Sequence, residues 1–260
     1  MDDPWILGDA YEQYIGRWSR LVAPRFLAWL DVPRGQRWLD VGCGTGALLQ
    51  AIIDHASPAT VLGVEPSAGF LATARERLGA RAEVSQGDAA ATGLAHAAVD
   101  ITVSGLVLNF VPDAGAALAE MRRVTRRGGT VAAYLWDYAG RMELIRHFWD
   151  AAVELDPAAA AKHEGVRFPL CRPEPLREAF ERSGLGGVAV DAIDVPTVFA
   201  DFDAYWRPFL GGQGPAPGYA MSLDEAARMR LRDRLRERLP VAADGSIALT
   251  ARAWAVRGQA

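Results

Sequence analysis

The sequence contains only two cysteines and no long apolar run. Cys43 and Cys171 are far apart in the chain, so we expect neither a disulfide framework nor a metal site. No stretch approaches the ~18 consecutive apolar residues that suggest a membrane span. Residues 1–5 carry no basic charge and do not resemble the start of a signal peptide. We therefore predict a cytoplasmic protein with no membrane partner.

The chain has no excess of positive charge. The chain has 28 lysine and arginine residues against 32 aspartate and glutamate residues, which gives a formal net charge of −4. Because phosphate binding depends on clustered cations, this balance argues against a nucleic-acid partner. The six arginines between residues 228 and 238 are interleaved with Asp233 and Glu237, a pattern typical of a solvated helix face. We expect a small-molecule substrate, and a monomer or a homodimer.

A strand that ends in an acid and continues into a glycine turn organises the chain. Residues 38–46 read WLDVGCGTG, and residues 47–53 then supply a helix. Gly42, Gly44 and Gly46 let the backbone turn sharply and approach a ligand with no Cβ in the way. Strand, turn and helix form the first unit of a nucleotide-type fold.

Two classes of ligand compete for this turn. Gly42, Gly44 and Ala47 satisfy the loose dinucleotide fingerprint, and Glu65 lies where a ribose-binding acid belongs. Asp40 favours the other class, because its carboxylate would repel a pyrophosphate but attract a ligand that carries an ammonium and a sulfonium. S-adenosylmethionine has both positive charges and no phosphate.

Residues 39–46 (LDVGCGTG) resemble motif I of the class I S-adenosylmethionine-dependent methyltransferases. The resemblance continues in the family's order and spacing. The later matching segments are residues 64–67 (VEPS), 86–89 (QGDA), 100–104 (DITVS) and 123–130 (RVTRRGGT). It covers roughly residues 36–137 and implies that the chain is an S-adenosylmethionine-dependent methyltransferase.

The resemblance also implies a set of cofactor-binding residues. By family position, Glu65 would accept hydrogen bonds from both ribose hydroxyls. Asp88 and Ala89 would hold the adenine, although Asp88 could instead be a plain turn residue. The backbone of Ser104 would contact the cofactor ammonium, and an arginine before motif I could pair with the cofactor carboxylate. The full set is Asp40, Gly42, Gly44, Gly46, Glu65, Pro66, Asp88, Ala89, Ser104, Tyr14 and Arg17.

The acceptor side is less well defined. Phe110 follows Asn109 where nucleobase-modifying relatives carry a proline, so methylation of a nucleobase is disfavoured. Asn109 could orient a polar group of the substrate or could cap a helix. The predicted substrate residues are Asn109, Trp136, Tyr205 and Trp206. A general base is optional, because the sulfonium already activates the methyl group. The nearest candidates are His147, Asp137, Tyr138 and Glu143.

Alternating strand and helix patterns predict an α/β fold with a Rossmann-like, mostly parallel sheet and helices on both faces. Strands are expected near residues 37–41, 60–65, 81–86, 99–104, 130–136, 188–195 and 247–256, and the last two would form an antiparallel closing pair. Helices are expected near residues 47–56, 67–78, 114–126, 141–163 and 174–183, with one or two more between residues 9 and 31. Ser222 and Glu225 suggest a capping box at a further helix.

We expect a single domain over residues 1–260. Within it we predict an N-terminal helical lid (1–35), a cofactor-binding core (36–137), a helical segment (138–187) and a lid insertion (200–245). The aromatic residues of that insertion lie beside a glycine- and proline-rich segment, which suits a lid, although they could instead only fill the core.

These patterns favour methyl transfer from S-adenosylmethionine to a small organic acceptor by in-line displacement, with oxygen slightly ahead of nitrogen or carbon. Three alternatives stay open. The acceptor could be a protein or a nucleic acid. The chain could bind S-adenosylmethionine without methylating, as a cyclase-like or regulatory protein. It could also be a dinucleotide-dependent oxidoreductase.

Overall fold

The computed structural model describes residues 12–212 and 214–260. The expectations for residues 1–5 and the first residues of the helix predicted between residues 9 and 31 lie outside these ranges. The described strands are β1 (Arg37–Val41), β2 (Thr60–Glu65), β3 (Glu83–Gln86), β4 (Val99–Gly105), β5 (Thr125–Trp136), β6 (Gly186–Phe199) and β7 (Ile247–Gln259).

A π-helical turn (Glu12–Gly16) precedes the first α-helix. The α-helices are α1 (Arg17–Leu30), α2 (Ala47–His55), α3 (Ala68–Leu78), α4 (Ala114–Val124), α5 (Glu143–Leu155), α6 (Glu164–Arg167), α7 (Pro173–Arg182), α8 (Phe202–Trp206), α9 (Pro215–Ser222) and α10 (Glu225–Arg238). Side chains cap several of them, as where Asp113 accepts a hydrogen bond of 2.9 Å from the backbone N–H of Ala116 at the start of α4. Within the described ranges, no helix is long and apolar enough to cross a membrane.

The strands form one sheet in the order β3-β2-β1-β4-β5-β7-β6. Neighbours from β3 to β5 pair in parallel, and β7 pairs with β5 in antiparallel fashion. The predicted seven-stranded Rossmann-like sheet is therefore confirmed. The strand order reverses between β1 and β4, and in open parallel sheets ligands bind at the carboxyl ends of the strands beside such a reversal.

The chain divides into two compact units. Unit 1 comprises the described residues up to Trp18, together with Asp137–Pro169 and Asp194–Arg252. Unit 2 comprises Ser19–Trp136, Leu170–Ile193 and Ala253–Ala260. Strands β1 to β5 lie in unit 2, whereas β6 and β7 each contribute residues to both units. The lid roles predicted for residues 1–35 and 200–245 stay predictions.

The core of unit 2 follows from the apolar sequence of its central strands. Trp38, Leu39 and Val41 are fully buried, which is the pattern of a parallel strand covered on both faces. The core of unit 1 is aromatic instead. The rings of Phe148 and Phe209 stack at 4.6 Å between centroids, and aromatic residues from α8 and α9 pack around them.

Two local expectations were wrong. The helix expected over residues 141–163 stops at Leu155, because Pro157 cannot continue the backbone hydrogen bonding and a 3₁₀ helix (Pro157–Lys162) follows. The capping box was placed two residues too early. Asp224 caps α10 by accepting a hydrogen bond from the N–H of Ala227, whereas the hydroxyl of Ser222 donates to the carbonyl of Tyr219.

Candidate active site

The glycine turn after β1 is held by backbone hydrogen bonds in unit 2. The N–H groups of Gly42 and Cys43 both donate to the carbonyl of Val64, at 2.8 and 3.1 Å. Gly42 has a φ of 76°, and a Cβ built on it would lie 2.6 Å from Cγ1 of Val107. Both the left-handed backbone and the lack of space require glycine here. The turn therefore presents bare backbone at the carboxyl end of β1.

Asp40 is a buried acid on β1, two residues before Gly42. Its side chain is 1% exposed, and Oδ1 has no hydrogen-bond partner among the described residues. Burial, and then the charge of Glu65, raise the pKa of Asp40 to about 8. Because a nearby cation stabilises the ionised form of such a carboxyl, this position suits a positively charged ligand.

Glu65 ties the turn to the end of β2. Its carboxylate accepts hydrogen bonds from the backbone N–H groups of Gly44 and Ser67, at 3.0 and 2.9 Å. Burial raises the pKa of Glu65, and these two hydrogen bonds oppose the shift. The sequence suggested only a ribose-binding role, so the link from Glu65 to the glycine turn is a structural function that the motif did not reveal.

Asp88 and Ala89 lie in the turn that follows β3. The carboxylate of Asp88 accepts the N–H of Ala90 at 2.8 Å, and the N–H of Ala91 donates to its carbonyl at 3.1 Å. Asp88 is thus a turn-forming residue, as one of the two interpretations had it, and its adenine contact stays a prediction. Nearby, Nε2 of Gln86 donates to the carbonyl of Pro66 at 3.0 Å and joins the ends of β2 and β3.

The end of β4 contains a strained residue that the sequence did not indicate. Leu106 has a φ of 63°, a left-handed conformation that costs a non-glycine residue about 1–2 kcal/mol. Its N–H donates to the carbonyl of Tyr134 at 2.8 Å, which holds it in place. Strain of this kind concentrates at functional sites.

The hydroxyl of Ser104 donates to the carbonyl of Val41 at 2.8 Å. Since the side chain is engaged in this way, a contact between Ser104 and a ligand would have to use its backbone.

Asn109 and Trp136 are the predicted substrate residues of unit 2. Nδ2 of Asn109 and Nε1 of Trp136 are both buried without a hydrogen-bond partner among the described residues. Buried polar groups are rarely left unpaired, so these two donors are available to a ligand. The other two, Tyr205 and Trp206, are buried in unit 1, where the Tyr205 hydroxyl donates to the carbonyl of Leu144 at 2.9 Å. Their substrate role stays a prediction.

The candidates for a general base lie in unit 1. The carboxylate of Asp137 accepts the N–H of Arg141 at 2.9 Å, and Glu143 accepts the N–H of Thr250 at 2.7 Å, so both support the backbone. Tyr138 is buried. Burial, and then the charge of Arg146, lower the pKa of His147, and its Nδ1 has no partner in the described part of the chain. No role as a base is established for any of the four.

Tyr14 and Arg17 also belong to unit 1. Tyr14 is 2% exposed, and its hydroxyl has no hydrogen-bond partner among the described residues. The guanidinium of Arg17 lies over the rings of Trp18 and Phe199, at 4.3 and 5.1 Å from their centroids. The structure thus brings the cofactor candidates of unit 2 together at the strand ends and places these two in the other unit.

Half of the six arginines of helix α10 form ion pairs with acids. Arg234 pairs with Glu154 at 2.7 Å, and Arg238 pairs with Asp150 at 3.5 Å and also with Glu154. Exposed pairs of this kind add little stability, but they consume the positive charge that a nucleic acid would need. Within the described ranges, no group of three or more potential metal ligands occurs.

Comparison with known proteins gives a family match over the same region. A family model described as "Methyltransferase domain" matches residues 39–133. A malonyl-[acyl-carrier protein] O-methyltransferase from Serratia marcescens is 38% identical over 113 residues, which are 44% of this chain and 43% of that protein. A protein of the same name from Enterobacter lignolyticus is 33% identical over 202 residues, 77% of this chain and 73% of that protein. The chain thus spans less than half of the first relative and nearly three quarters of the second.

Solved structures share the fold. Phosphoethanolamine N-methyltransferase 2 of Haemonchus contortus, in complex with S-adenosyl-L-methionine, has a TM-score of 0.57 with this chain. The two are 18% identical, and the match covers 96% of this chain and 56% of that one. At that identity the likeness concerns the fold alone.

Proposed function

The chain belongs to the class I S-adenosylmethionine-dependent methyltransferase family, and we propose that it transfers a methyl group from S-adenosylmethionine to an oxygen of a small organic acceptor. The observation that carries the proposal is Asp40. A buried carboxyl with an unpartnered oxygen, next to a turn of bare backbone, fits a cationic ligand better than a phosphate. Family membership also sets aside the dinucleotide alternative.

In this proposal the strand ends of unit 2 bind the cofactor. Asp40 stabilises its positive charge, and the turn of Gly42, Gly44 and Gly46 leaves room for close backbone contact. Glu65 and Pro66 hold the ribose side, as the resemblance implies. Asp88 and Ala89 hold the adenine, and the backbone of Ser104 contacts the ammonium. For Tyr14 and Arg17, which belong to unit 1, a cofactor contact stays a prediction from the resemblance alone.

The chemistry then depends mainly on positioning. Bound S-adenosylmethionine supplies a methyl group that its sulfonium already activates. The chain's own residues have to hold the acceptor in line and exclude water, effects that can contribute ~7–11 kcal/mol. The unpartnered N–H of Asn109 is suited to orient an acceptor oxygen, because it can only donate. The two named relatives support oxygen as the accepting atom, since both are O-methyltransferases.

An acceptor panel tests the proposal. Purified protein and S-adenosylmethionine are incubated with small acids, phenols and amines of matched skeleton, including malonyl thioesters, and S-adenosylhomocysteine is quantified. We expect turnover with at least one oxygen acceptor. Loss of one orienting hydrogen bond in Asn109→Ala should lower kcat/KM about 2- to 10-fold, while Glu83→Ala, an exposed acid of the same unit, should not change it.

Three results would contradict the proposal. Transfer only to the amines would remove oxygen as the acceptor atom. Labelling of a protein or nucleic acid with a radioactive methyl group would change the substrate class. Binding of S-adenosylmethionine with no S-adenosylhomocysteine formed from any acceptor would favour a non-methylating protein.

A further inference from the structure

Unit 2 contains a cleft whose residues take no part in the proposed methyl transfer. The cleft has a volume of about 340 Å³, at the small end of the range for ligand sites, and it is partly open to solvent. Helices α1, α2 and α3 all contribute to its walls, and every lining residue belongs to unit 2. Since none of the predicted cofactor or substrate residues lines it, an occupant of this cleft would be a different ligand.

Cationic side chains reach the cleft from different helices. Arg20 on α1 and Arg77 on α3 both line it, and His55 adds an imidazole at the end of α2. Nη1 of Arg77 donates to the carbonyl of Thr45 at 3.2 Å, and no acidic side chain of the described residues pairs with this arginine. The four other N–H donors of its guanidinium can therefore bind a ligand.

One acid also lines the cleft, and an amide holds it. Oδ1 of Asp54 accepts a hydrogen bond of 2.8 Å from Nε2 of Gln50, and Oε1 of Gln50 accepts one of 3.0 Å from Nη2 of Arg81. Arg81 thus adds a third guanidinium beside the cleft. Three arginines against one aspartate leave a formal charge of +2. A phosphate monoester, with a charge of about −1.5 to −2 at pH 7, matches it, whereas a single carboxylate balances only half.

We propose that this cleft binds a small phosphate monoester. The phosphate contacts Arg20 and Arg77, because a guanidinium fork can bind two phosphate oxygens at once. The organic part contacts the apolar wall of the cleft, which Pro24, Ala47 and Ala51 form. The proposal goes beyond the proposed function and does not rest on it, because binding to the cleft requires no methyl transfer.

The hydrogen bond from Arg77 to Thr45 connects the cleft to the glycine turn, since Thr45 lies between Gly44 and Gly46. A substitution of Arg77 could therefore act on a ligand directly or through the turn. Asp54 distinguishes the two routes. It lines the cleft and bonds to Gln50, so Asp54→Asn changes the charge of the cleft and leaves the contact between Arg77 and Thr45 in place.

Calorimetry on the full chain in phosphate-free buffer tests the proposal with three probes. These are ribose 5-phosphate, inorganic phosphate and ribose. We expect ribose 5-phosphate to bind more tightly than inorganic phosphate, because only the ester can also contact the apolar wall, and ribose to give no detectable heat. Each titration is repeated with saturating S-adenosylhomocysteine, and ribose 5-phosphate should still bind, because the cleft and the proposed cofactor site share no residue.

Two substitutions should change the affinity for ribose 5-phosphate in opposite directions. Arg77→Met removes a charged donor and should weaken binding about 5- to 30-fold. Asp54→Asn removes a negative charge and should strengthen binding about 2- to 5-fold. Arg127→Met, at an exposed arginine of the same unit that does not line the cleft, is the matched control and should leave the affinity unchanged.

Five results would overturn the proposal. They are no binding of ribose 5-phosphate, equal or tighter binding of inorganic phosphate, displacement by S-adenosylhomocysteine, an unchanged affinity in Arg77→Met, and an unchanged or lower affinity in Asp54→Asn. A protein that gives the expected binding but methylates no acceptor would refute the proposed function and keep this site. Methyl transfer without binding of ribose 5-phosphate would refute the site and keep the proposed function.

Discussion

Asp40 couples the stability of the fold to pH. Its pKa is about 8 in the folded chain, against about 3.9 in an unfolded one. Between these values the unfolded chain has lost the proton that the folded chain keeps, so the free energy of unfolding falls as pH rises from ~4 to ~8. Below pH ~4 both states are protonated, and the contribution of the neutral carboxyl is fully present.

Asp40→Asn should remove this dependence, because the amide does not ionise and has a similar shape. We expect the melting temperature of the variant to exceed that of the wild type by a margin that widens from pH 5 to pH 8. Circular dichroism melts without cofactor measure it, with Asp54→Asn, an exposed helical acid of the same unit, as control. A constant margin across this range would show that Asp40 is not the titrating group.

Glu65 should matter for both binding and stability. Glu65→Ala deletes the proposed ribose acceptor and also leaves the N–H groups of Gly44 and Ser67 without their partner. A hydrogen bond to a charged group contributes ~1.5–3 kcal/mol, which corresponds to a loss of cofactor affinity of roughly 10- to 150-fold. Calorimetry with S-adenosylhomocysteine checks the affinity, and a urea melt checks the stability.

Glu83→Ala at the exposed start of β3 is the control for this substitution. Unchanged affinity in Glu65→Ala, together with lowered stability, would make Glu65 a support of the glycine turn alone and would remove its ribose role.

The turn after β1 requires glycine for two different reasons, a left-handed backbone and a lack of space, and the motif does not distinguish them. Gly42 and Gly44 both have positive φ, at 76° and 53°. A Cβ on Gly42 would lie 2.6 Å from Val107, whereas a Cβ on Gly44 would meet nothing within 4 Å. Gly44→Ala should therefore cost about 1–2 kcal/mol of backbone strain. Gly42→Ala should add the ~1–3 kcal/mol of overpacking.

Chemical denaturation of the two variants tests this ranking. Val107→Ala combined with Gly42→Ala should restore part of the loss, because it removes the atoms that clash but not the strained backbone. Equal destabilisation by Gly42→Ala and Gly44→Ala, with no rescue, would mean that Val107 moves aside at little cost.

The elements that the sequence predicted well are those with a local signal. β1 and β2 have the bounds expected from the sequence, because each contains a short run of buried apolar residues. β6 was predicted too short. It continues to Phe199, and Pro196 is tolerated because β6 is an edge strand of the sheet.

Across the whole chain, residues at strand ends can be predicted from sequence, whereas contacts made by tertiary packing cannot. The cofactor candidates follow strand ends, and the parallel sheet gathers strand ends at one edge, so counting from motif I located them. Trp18 and Phe199 are distant in sequence, and their rings meet only through tertiary packing. No local pattern could indicate that a buried indole or hydroxyl is left without a partner.

Hydrogen exchange with and without S-adenosylhomocysteine would map the proposed cofactor site across the chain. At short labelling times we expect slower exchange in peptides that contain the residues after β1, β2, β3 and β4, which are 42–46, 65–67, 88–90 and 104–106. Long times are less informative, because ligand binding raises the global stability by mass action and slows exchange everywhere. Helix α10, in which Arg234 and Arg238 pair with acids of unit 1, should show no early protection and serves as the internal control. Early protection at α10 with none at 42–46, under conditions where calorimetry shows saturation, would mean that the cofactor binds away from the glycine turn.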